Sequence, residues 1–332
     1  MKIVFYAPNF YPMIGGLESV VLSLATGLSQ LGHRVLVITQ TPRPQHDTFP
    51  FAVARQPTTW RTAVYIYQND VFVQFNMSLK GLLPWLLTGR PLVATHHGLY
   101  SRNRLTGQLK WLATRLATIN TGCSHFISQH HRNGQWLPNP YNDAVFRQRP
   151  GTDRQNRLVF LGRLVAEKGI DVLLRALQTL KQTTALVPEL TIIGSGPLRN
   201  WLGQLATALG VEEQVVFVGD RTGEELAITL HQHTVLIVPS VYDEPFGIVA
   251  LEGIACGCFV IGTQTGGLPE AIGPCGVTFP VGNAAALTSL IAKALAQPAW
   301  RSAHLTHAAT HLAPHTRAAV TGQFMHLLST QL

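Results

Sequence analysis

Two carboxylates in the second half of the chain are the first candidates for chemistry. Glu244 and Glu252 stand eight positions apart in the segment EPFGIVALE. The run TVLIVPS before this segment predicts a buried strand, and the apolar spacing after Gly247 predicts a helix. A ligand at the carboxyl end of such a strand can reach the free backbone N–H groups at the start of the helix. Glu244 would then reach the ligand from the turn, and Glu252 from the helix.

Both carboxylates also have an ordinary structural interpretation. Glu244 can simply favour the helix N-terminus electrostatically, and Glu252 can be a solvated helix charge. However, Glu252 lies inside the apolar run IVALEGIACGCFVIG, where a lone charge is costly unless it has a partner. The flanking sequence therefore favours a ligand-binding role for Glu252.

Two cations form the second candidate cluster. Arg163 and Lys168 follow a predicted buried strand in the segment GRLVAEKG, residues 162–169. The guanidinium can fork onto two oxygens and the ammonium acts as a point charge, so the pair suits a diphosphate. The alternative is that one of these cations pairs with Glu167.

Glycines and histidines supply further candidates at the ends of predicted strands. Gly15 and Gly16 separate the first strand from the first helix, where their amides could approach an anion, although a simple turn is the commoner reason for two glycines. Gly196, in IIGSGP, suits the close approach of a base or ribose. His97, in THHG (residues 95–98), could bind a ligand hydroxyl or a developing charge; a structural histidine is the alternative.

The elements that position these residues alternate between strand and helix in two series. This alternation predicts an α/β fold with two Rossmann-like, doubly wound domains facing each other across a cleft. We predict an N-terminal domain over 1–138, a linker over 139–156 and a C-terminal domain over 157–315, and a helix at about 316–331 can pack on either domain. Residues 41–69 give little sign of structure. The segment TGCSHFIS, residues 121–128, is predicted to be a strand.

Composition narrows the class of protein. The chain has 332 residues and a net charge of +8, and no apolar run reaches the length of a membrane span. Residues 1–150 carry 14 Lys/Arg and four Asp/Glu, a net charge of +10. Residues 151–332 carry 11 Lys/Arg and 13 Asp/Glu, a net charge of −2. Such asymmetry predicts an anionic partner for the first half. The N-terminus does not resemble a signal peptide, and four cysteines without zinc spacing fit a reducing cytosol.

Two surfaces remain open to more than one interpretation. Residues 79–90 and a helix over 105–119, with Arg102, Arg104, Lys110 and Arg115 nearby, either form a basic amphipathic surface for a membrane or face the core. Four histidines at helix-compatible spacing suggest either a metal site or, more commonly, a solvated helix face; these are His304, His307, His311 and His315.

Taken together and in order, the motifs resemble the family 4 retaining glycosyltransferases of the two-Rossmann-domain (GT-B) fold. The resemblance covers nearly the whole chain and rests on GGLE, H-G after PLVAT, PNP, LGRLVAEKG, IIGSGP, VVFVGD, VLIVPS, EPFGIVALEGIACGCFVI and TGGLPE. It implies a nucleotide-diphosphate sugar as donor, an acceptor hydroxyl, no metal and no further cofactor. It also implies synthesis of a cell-envelope glycolipid or polysaccharide in the cytoplasm, or at the cytoplasmic face of a membrane. An anionic or lipid-linked acceptor and peripheral contact with an anionic membrane are compatible with it.

The same resemblance implies a role for each candidate residue. Arg163 and Lys168 would hold the diphosphate and stabilise the leaving group, and the Gly15 and Gly16 amides would approach the same phosphate. Glu244 would contact the donor sugar, where the backbone of Phe246, Gly247 and Ile248 adds N–H donors, and Glu252 would bind the ribose. His97 would lie beside the transferred sugar, with His96 as the alternative.

Two other functions remain compatible with the sequence. A nucleotide-sugar epimerase of the same architecture would turn over the donor without an acceptor. A basic nucleic-acid-binding protein is suggested only by the isoelectric point of about 9.6, since no interleaving of aromatic and basic residues typical of RNA binding is visible. We expect no nucleic-acid partner.

Overall fold

A computed structural model describes residues 1–13, 15–44, 48–101, 103–149, 154 and 157–332. The chain divides into two compact units. The first contains Met1–Asn142 and Pro314–Leu332, and the second contains Asp143–Ala313. Residues 139–142, which the sequence analysis assigned to the linker, thus lie in the first unit, and part of the remaining linker (150–153, 155 and 156) lies outside the described residues.

The first unit is built on a parallel sheet whose described strands run in the order β3-β2-β1-β4-β5-β6-β7. The strands are β1 Lys2–Tyr6, β2 Arg34–Thr39, β3 Ala52–Arg55, β4 Val71–Phe75, β5 Leu92–His96, β6 Ile119–Gly122 and β7 Gly134–Trp136. The helices of the N-terminal segment are α1 Gly16–Gln30, α2 Thr59–Tyr67, α3 Leu79–Trp85, α4 Leu105–Ala113 and α5 His125–Ser128. Strands β1, β4 and β5 are buried almost throughout, as expected for a sheet covered by helices on both faces.

Two parts of this unit differ from the sequence-based expectation. Strand β3 and helix α2 lie within residues 41–69, where the sequence gives little sign of structure; β3 is a four-residue edge strand that is only partly buried, so it has no apolar alternation. The predicted strand over 121–128 is wrong beyond Gly122. There the Ser124 hydroxyl accepts a hydrogen bond from the Ile127 N–H at 3.1 Å and starts α5, because a serine N-cap stabilises a helix start.

The C-terminal helix belongs to the first unit. This helix, labelled α14 below, spans Arg317–Gln331. Its Thr321 packs so closely on α1 that a Cβ at Gly27 would overlap the Thr321 hydroxyl, and Phe324 contacts Phe5 of β1 edge to face at 6.2 Å. A small residue at position 27 therefore permits the close packing of the two helices.

The second unit is a parallel sheet with the described strand order β10-β9-β8-β11-β12-β13. The strands are β8 Leu158–Leu161, β9 Leu190–Ile193, β10 Val215–Gly219, β11 Val235–Val238, β12 Phe259–Thr263 and β13 Gly276–Phe279. The helices are α6 Ile170–Thr183, α7 Arg199–Ala208, α8 Gly223–His231, α9 Ile248–Ala255, α10 Leu268–Ile272, α11 Ala284–Ala296, α12 Pro298–Leu305 and α13 Ala308–Leu312. Two parallel sheets with interleaved helices confirm the predicted α/β class of two Rossmann-like domains.

Candidate active site

The strand order of the second unit brings the two main sequence clusters together. Strands β8 and β11 are neighbours, yet the chain leaves β8 toward β9 and leaves β11 toward β12, in opposite directions along the sheet. Loops at such a switch point diverge and leave a crevice at the carboxyl edge, where ligands bind in open α/β sheets. The segment GRLVAEKG follows β8, and the segment containing Glu244 follows β11.

Glu244 is the centre of a buried polar network. Its Oε1 accepts hydrogen bonds from Lys168 Nζ at 2.5 Å and from Ser240 Oγ at 2.7 Å. Its Oε2 accepts from the Tyr242 hydroxyl at 2.6 Å, and that hydroxyl in turn accepts from Lys168 Nζ at 3.3 Å. The carboxylate side chain is only 7% exposed and the lysine side chain 19% exposed, so the pair is largely shielded from water.

This network keeps Glu244 ionised. Burial by itself raises the pKa of a carboxyl, but Lys168, Tyr242 and Ser240 outweigh burial and hold the pKa of Glu244 below its usual value. A carboxylate offers about four acceptor positions, and three are occupied here. Glu244 can therefore accept one further hydrogen bond, for example from a sugar hydroxyl, but it is a poor general acid.

The alternative pairing of these cations with Glu167 is not what the structure shows. Among the described residues, Lys168 pairs with Glu244 and Arg163 has no ion-pair partner, while Glu167 is exposed. The loop is fixed by Gly169, which has a φ of +64° and lies where a Cβ would overlap the carbonyl oxygen of Pro239. Arg163 is exposed and its guanidinium donates to no described residue, so its donors can bind an anion.

The turn before α9 presents backbone donors beside this network. Gly247 has a φ of +104° and caps α9, a conformation that glycine adopts without strain. Phe246 is buried and anchors the turn. The N–H groups of Gly247 and Ile248 make no hydrogen bond to any described residue, as expected for the first residues of a helix.

Glu252 lies on α9, one helical turn beyond Ile248. Within the described part of the chain, its side chain makes no hydrogen bond and no ion pair, and burial raises the pKa of Glu252 to about 8. An unpaired carboxylate in this environment is costly. Donors from a bound ligand, such as two vicinal hydroxyls, would satisfy it.

Close packing explains why position 196 is a glycine, which the sequence did not reveal. A Cβ at Gly196 would collide with the backbone of Leu164, whose N–H donates to the Ser195 carbonyl oxygen at 2.8 Å. The IIGSGP turn after β9 therefore packs directly on the loop that carries Arg163 and Lys168. The proposed approach of a base or ribose at Gly196 stays a prediction.

The two adjacent histidines of the first unit have different environments. His96 is fully buried, with Nδ1 2.8 Å from the Tyr100 hydroxyl and Nε2 2.9 Å from Asn120 Oδ1. Neither ring nitrogen of His97 has a hydrogen-bond partner of normal geometry among the described residues. Burial lowers the pKa of His97 to about 4, and the nearby Asn139 side chain offsets part of this shift. His96 is thus structural, and His97 retains its hydrogen-bonding capacity in the neutral form.

Gly15 and Gly16 lie where the sequence placed them, after β1 and at the start of α1. Gly15 is the N-cap residue with extended backbone, and Gly16 is the first helical residue. A Cβ at Gly15 would meet only the end of the flexible Glu18 side chain. Their proposed contact with an anion stays a prediction.

Three of the four C-terminal histidines form hydrogen bonds with different backbone carbonyl groups. His304 and His311 bond to the carbonyl oxygens of Pro274 and Ala271, and His315 bonds to that of Asn139. Within the described ranges, no group of three or more His, Cys, Asp or Glu is arranged to hold a metal ion. These contacts explain His304, His311 and His315 as packing residues, whereas His307 is exposed, as the solvated-face interpretation predicted.

Sequence reasoning missed Ser240 and Tyr242. Both lie between β11 and Glu244, in the segment PSVYDEP, and both donate to the Glu244 carboxylate. Polar side chains directly after a buried strand are a usable signal for a site at the sheet edge.

The comparisons with known proteins agree with this fold. The model of the family described as glycosyl transferases group 1 matches residues 142–311, and that of glycosyltransferase family 4 matches residues 14–140. The fold and the site together thus define a two-domain protein of the glycosyltransferase type. The chain belongs to the glycosyl transferases group 1 family.

Individual relatives cover only part of each protein. The chain is 35% identical over 174 residues (49% of this chain, 45% of the relative) to the GDP-mannose-dependent alpha-(1-6)-phosphatidylinositol monomannoside mannosyltransferase of Mycolicibacterium smegmatis. It is 40% identical over 138 residues (39% of this chain, 31% of the relative) to the D-inositol 3-phosphate glycosyltransferase of Salinispora arenicola. The matched region is thus less than half the length of these curated relatives.

The fold is similar over its whole length to solved structures. The structure of Anabaena HepE in complex with UDP and glucose has a TM-score of 0.86 at 20% identity and covers 99% of this chain and 100% of that one. Sucrose-phosphate synthase from Thermosynechococcus elongatus has a TM-score of 0.81 at 22% identity, and the match covers 99% of this chain and 98% of that one. At these identities the likeness establishes the fold.

Proposed function

We propose that this protein transfers a sugar from a nucleotide-diphosphate sugar to an acceptor hydroxyl, with retention of the anomeric configuration and without a metal ion. The observation that carries the proposal is the cluster at the carboxyl edge of β8 and β11. There, a lysine–carboxylate pair lies on adjacent loops and α9 together with an arginine and a second carboxylate that have no partner among the described residues. A nucleotide-diphosphate sugar carries groups complementary to each of them.

The contacts of each residue support the role proposed for it. Arg163 and Lys168 bind the diphosphate, and Lys168 is held in place by Glu244 and Tyr242. Glu244 uses its remaining acceptor position for a sugar hydroxyl, and Glu252 accepts from the ribose hydroxyls.

The turn and the first unit supply the remaining proposed contacts. The N–H groups around Gly247 face the same ligand, and Phe246 holds their turn in place. His97 offers a neutral imidazole to a sugar hydroxyl.

The chemistry proposed for the site relies on charge stabilisation. The bond from the anomeric carbon to the diphosphate breaks, a bond to the acceptor oxygen forms on the same face, and the departing phosphate takes the acceptor proton. Fixed cations beside the leaving group lower the barrier because negative charge develops there. Glu244, already ionised and paired, positions Lys168 rather than donating a proton.

Names of similar proteins support the substrate classes but leave the base open. Solved neighbours contain UDP, or UDP-glucose, and a relative is named as GDP-mannose-dependent and as acting on a phosphatidylinositol monomannoside. We propose synthesis of a cell-envelope glycolipid or polysaccharide, in the cytoplasm or at its membrane face. Screening uridine, guanosine and adenosine diphosphates for thermal stabilisation identifies the base, since a ligand that binds only the folded state raises its melting temperature.

Arg163→Ala provides the decisive variant because Arg163 is exposed and supports no other described residue. We expect turnover to fall at least about a hundredfold, in the range known for lost electrostatic stabilisation, at an unchanged melting temperature. Arg175→Ala, an exposed arginine on α6, is the matched control. Turnover of Arg163→Ala close to that of the control would refute the phosphate assignment.

Following the donor by NMR with and without acceptor tests the reaction class. Consumption that requires an acceptor, with the anomeric configuration retained in the product, supports transfer. Conversion of the donor to an epimer without acceptor would identify an epimerase instead.

A further inference from the structure

An apolar stripe on the first unit faces solvent instead of the core. Helix α4 and the turn after it carry leucines at positions i, i+4, i+7 and i+11, which line one face of a helix. They are exposed by 43% to 71% and comprise Leu105, Leu109, Leu112 and Leu116. The core side of the same helix is formed by small residues, Gly107 and Ala113. The leucine stripe of this helix therefore faces solvent, and only its small residues face the core.

The end of α3 adds three more exposed leucines. Leu83, Leu86 and Leu87 are 57% to 70% exposed. Helices α3 and α4 connect β4 to β5 and β5 to β6, in one direction along the sheet, so right-handed crossovers place both on the same face. Their inner residues Leu82 and Ala113 share one core cluster. We call the seven exposed leucines the leucine surface.

The charge around the leucine surface has one sign. Residues 71–142 contain seven Lys/Arg and no Asp or Glu. Arg104 at the N-cap of α4, Trp111 on α4 and Arg115 in the turn after it are spaced i, i+7 and i+11, so they flank the leucine stripe. The Arg115 guanidinium stacks 4.7 Å from the centre of the Trp111 ring. Apolar residues bordered by arginine and tryptophan are typical of a helix that lies in a membrane interface. Arg102 lies outside the described residues.

A basic cavity opens beside this stripe. It has a volume of about 380 Å³ and is lined by Trp111, Thr114, Arg115, His130 and Arg132. Two guanidinium groups are donors suited to a phosphate, which arginine binds in a bidentate fashion.

We propose that the leucine surface docks this protein on an anionic phospholipid bilayer and that the cavity beside Arg115 binds a lipid headgroup phosphate. Within the described residues, no helix combines the length and apolarity needed to cross a bilayer. Leucine side chains enter the interface and contribute burial of apolar area, and the basic residues add attraction to anionic lipid. The surface is independent of the sugar-transfer site, so the two proposals can fail separately.

Vesicle sedimentation without donor or acceptor tests the docking. We expect the wild-type protein to bind phosphatidylcholine vesicles that contain phosphatidylglycerol, and to bind much more weakly at high salt or without the anionic lipid. Leu109→Gln/Leu112→Gln should weaken binding at least about tenfold, since two leucine side chains no longer bury apolar area in the interface. Leu31→Gln, at the end of α1 and 58% exposed, is the matched control and should bind like the wild type.

A second pair of variants tests the headgroup cavity. Arg115→Gln/Arg132→Gln should weaken binding to anionic vesicles about tenfold, whereas Arg175→Gln in the second unit should not. Wild-type binding by the arginine pair variant would refute the headgroup assignment. Failure of the wild-type protein to bind anionic vesicles at low salt would refute the docking. In that case, a wild-type dimer in sedimentation velocity that the Leu109→Gln/Leu112→Gln variant does not form would identify the leucine surface as a dimer interface instead. Circular dichroism melting of each variant shows whether the fold is retained.

Discussion

Replacing Lys168 with methionine should destabilise the second unit in a pH-dependent way. The change leaves the Glu244 carboxylate, 7% exposed, without its cation. Removing one partner of a buried ion pair costs about 3–5 kcal/mol. We expect about 3 kcal/mol here, the low end of that range, because Tyr242 and Ser240 still donate to the carboxylate and the Lys168 side chain keeps some contact with water.

This energy corresponds to a measurable change in melting temperature. For domains of roughly 150–250 residues, 1 kcal/mol shifts the melting temperature by about 2–4 °C, and the second unit falls within this size. The calorimetric transition of this unit should thus move down by about 6–12 °C at neutral pH. Lys181→Met, which removes an exposed lysine bonded to the Gly210 carbonyl oxygen, is the control and should cost under ~1 kcal/mol.

The pH dependence distinguishes a lost ion pair from lost packing. In the wild type the pKa of Glu244 is lowered, so its stabilising contribution is present above the usual carboxyl range and disappears as the pH falls through the folded-state pKa. In Lys168→Met the two hydroxyls alone oppose burial and the pKa of Glu244 rises, so this variant loses the stabilisation that the wild type gains as the pH increases. The difference between the two proteins should therefore shrink from about pH 7 to about pH 4. A difference that stays constant over this range, or a shift under about 2 °C at neutral pH, would refute the reasoning.

Three further substitutions test the site and its frame. Glu252→Gln should raise the free energy of unfolding of the ligand-free protein by about 2 kcal/mol near pH 8. Burial raises the pKa of Glu252 to about 8, so the gain should fade toward about pH 4 and below, where the carboxyl is protonated when folded and mostly so when unfolded. Denaturant titrations across pH show this, and a pH-independent gain would contradict it. Gly169→Ala should cost more than 2 kcal/mol through overlap with a carbonyl oxygen, whereas Gly210→Ala, at φ +66° in open space, should cost about 1–2 kcal/mol; equal losses in thermal melts would count against the overlap. His96→Ala should lower the melting temperature by several degrees because two buried hydrogen bonds are lost, while His97→Ala should slow sugar transfer with little change in melting; the reverse pattern would exchange their roles.

Local patterns in the sequence were sufficient for much of the fold. Short β-branched runs alternating with helical spacing predicted the α/β class and most elements, because hydrophobic periodicity follows directly from backbone geometry. Strand β3 and helix α5 escaped this reasoning. The first is a partly exposed edge strand, and the second begins at a serine cap inside an apolar segment.

The candidate site was predictable in its members but not in its pairings. The sequence singled out Arg163, Lys168, Glu244 and Glu252 by residue type and position, and the resemblance gave them roles. Glu167, adjacent in sequence, was an equally good partner for Lys168. The choice of Glu244, 76 positions away, depends on β8 and β11 being neighbours, which is a property of strand order and not of any local pattern.

The same distinction applies to the histidines and the leucines. Residue type alone could not show that His96 and His97 have different roles. The Tyr100 and Asn120 side chains form hydrogen bonds with both ring nitrogens of His96, whereas the ring nitrogens of His97 have no hydrogen-bond partner of normal geometry among the described residues. Helical spacing showed that α4 has an apolar stripe, but a stripe of this kind can face either the core or a partner. The sequence by itself determined which residues share a face, because that depends on bonds along the chain. Only the tertiary structure decided what each face meets, because contacts between distant segments depend on how the sheet and its helices pack.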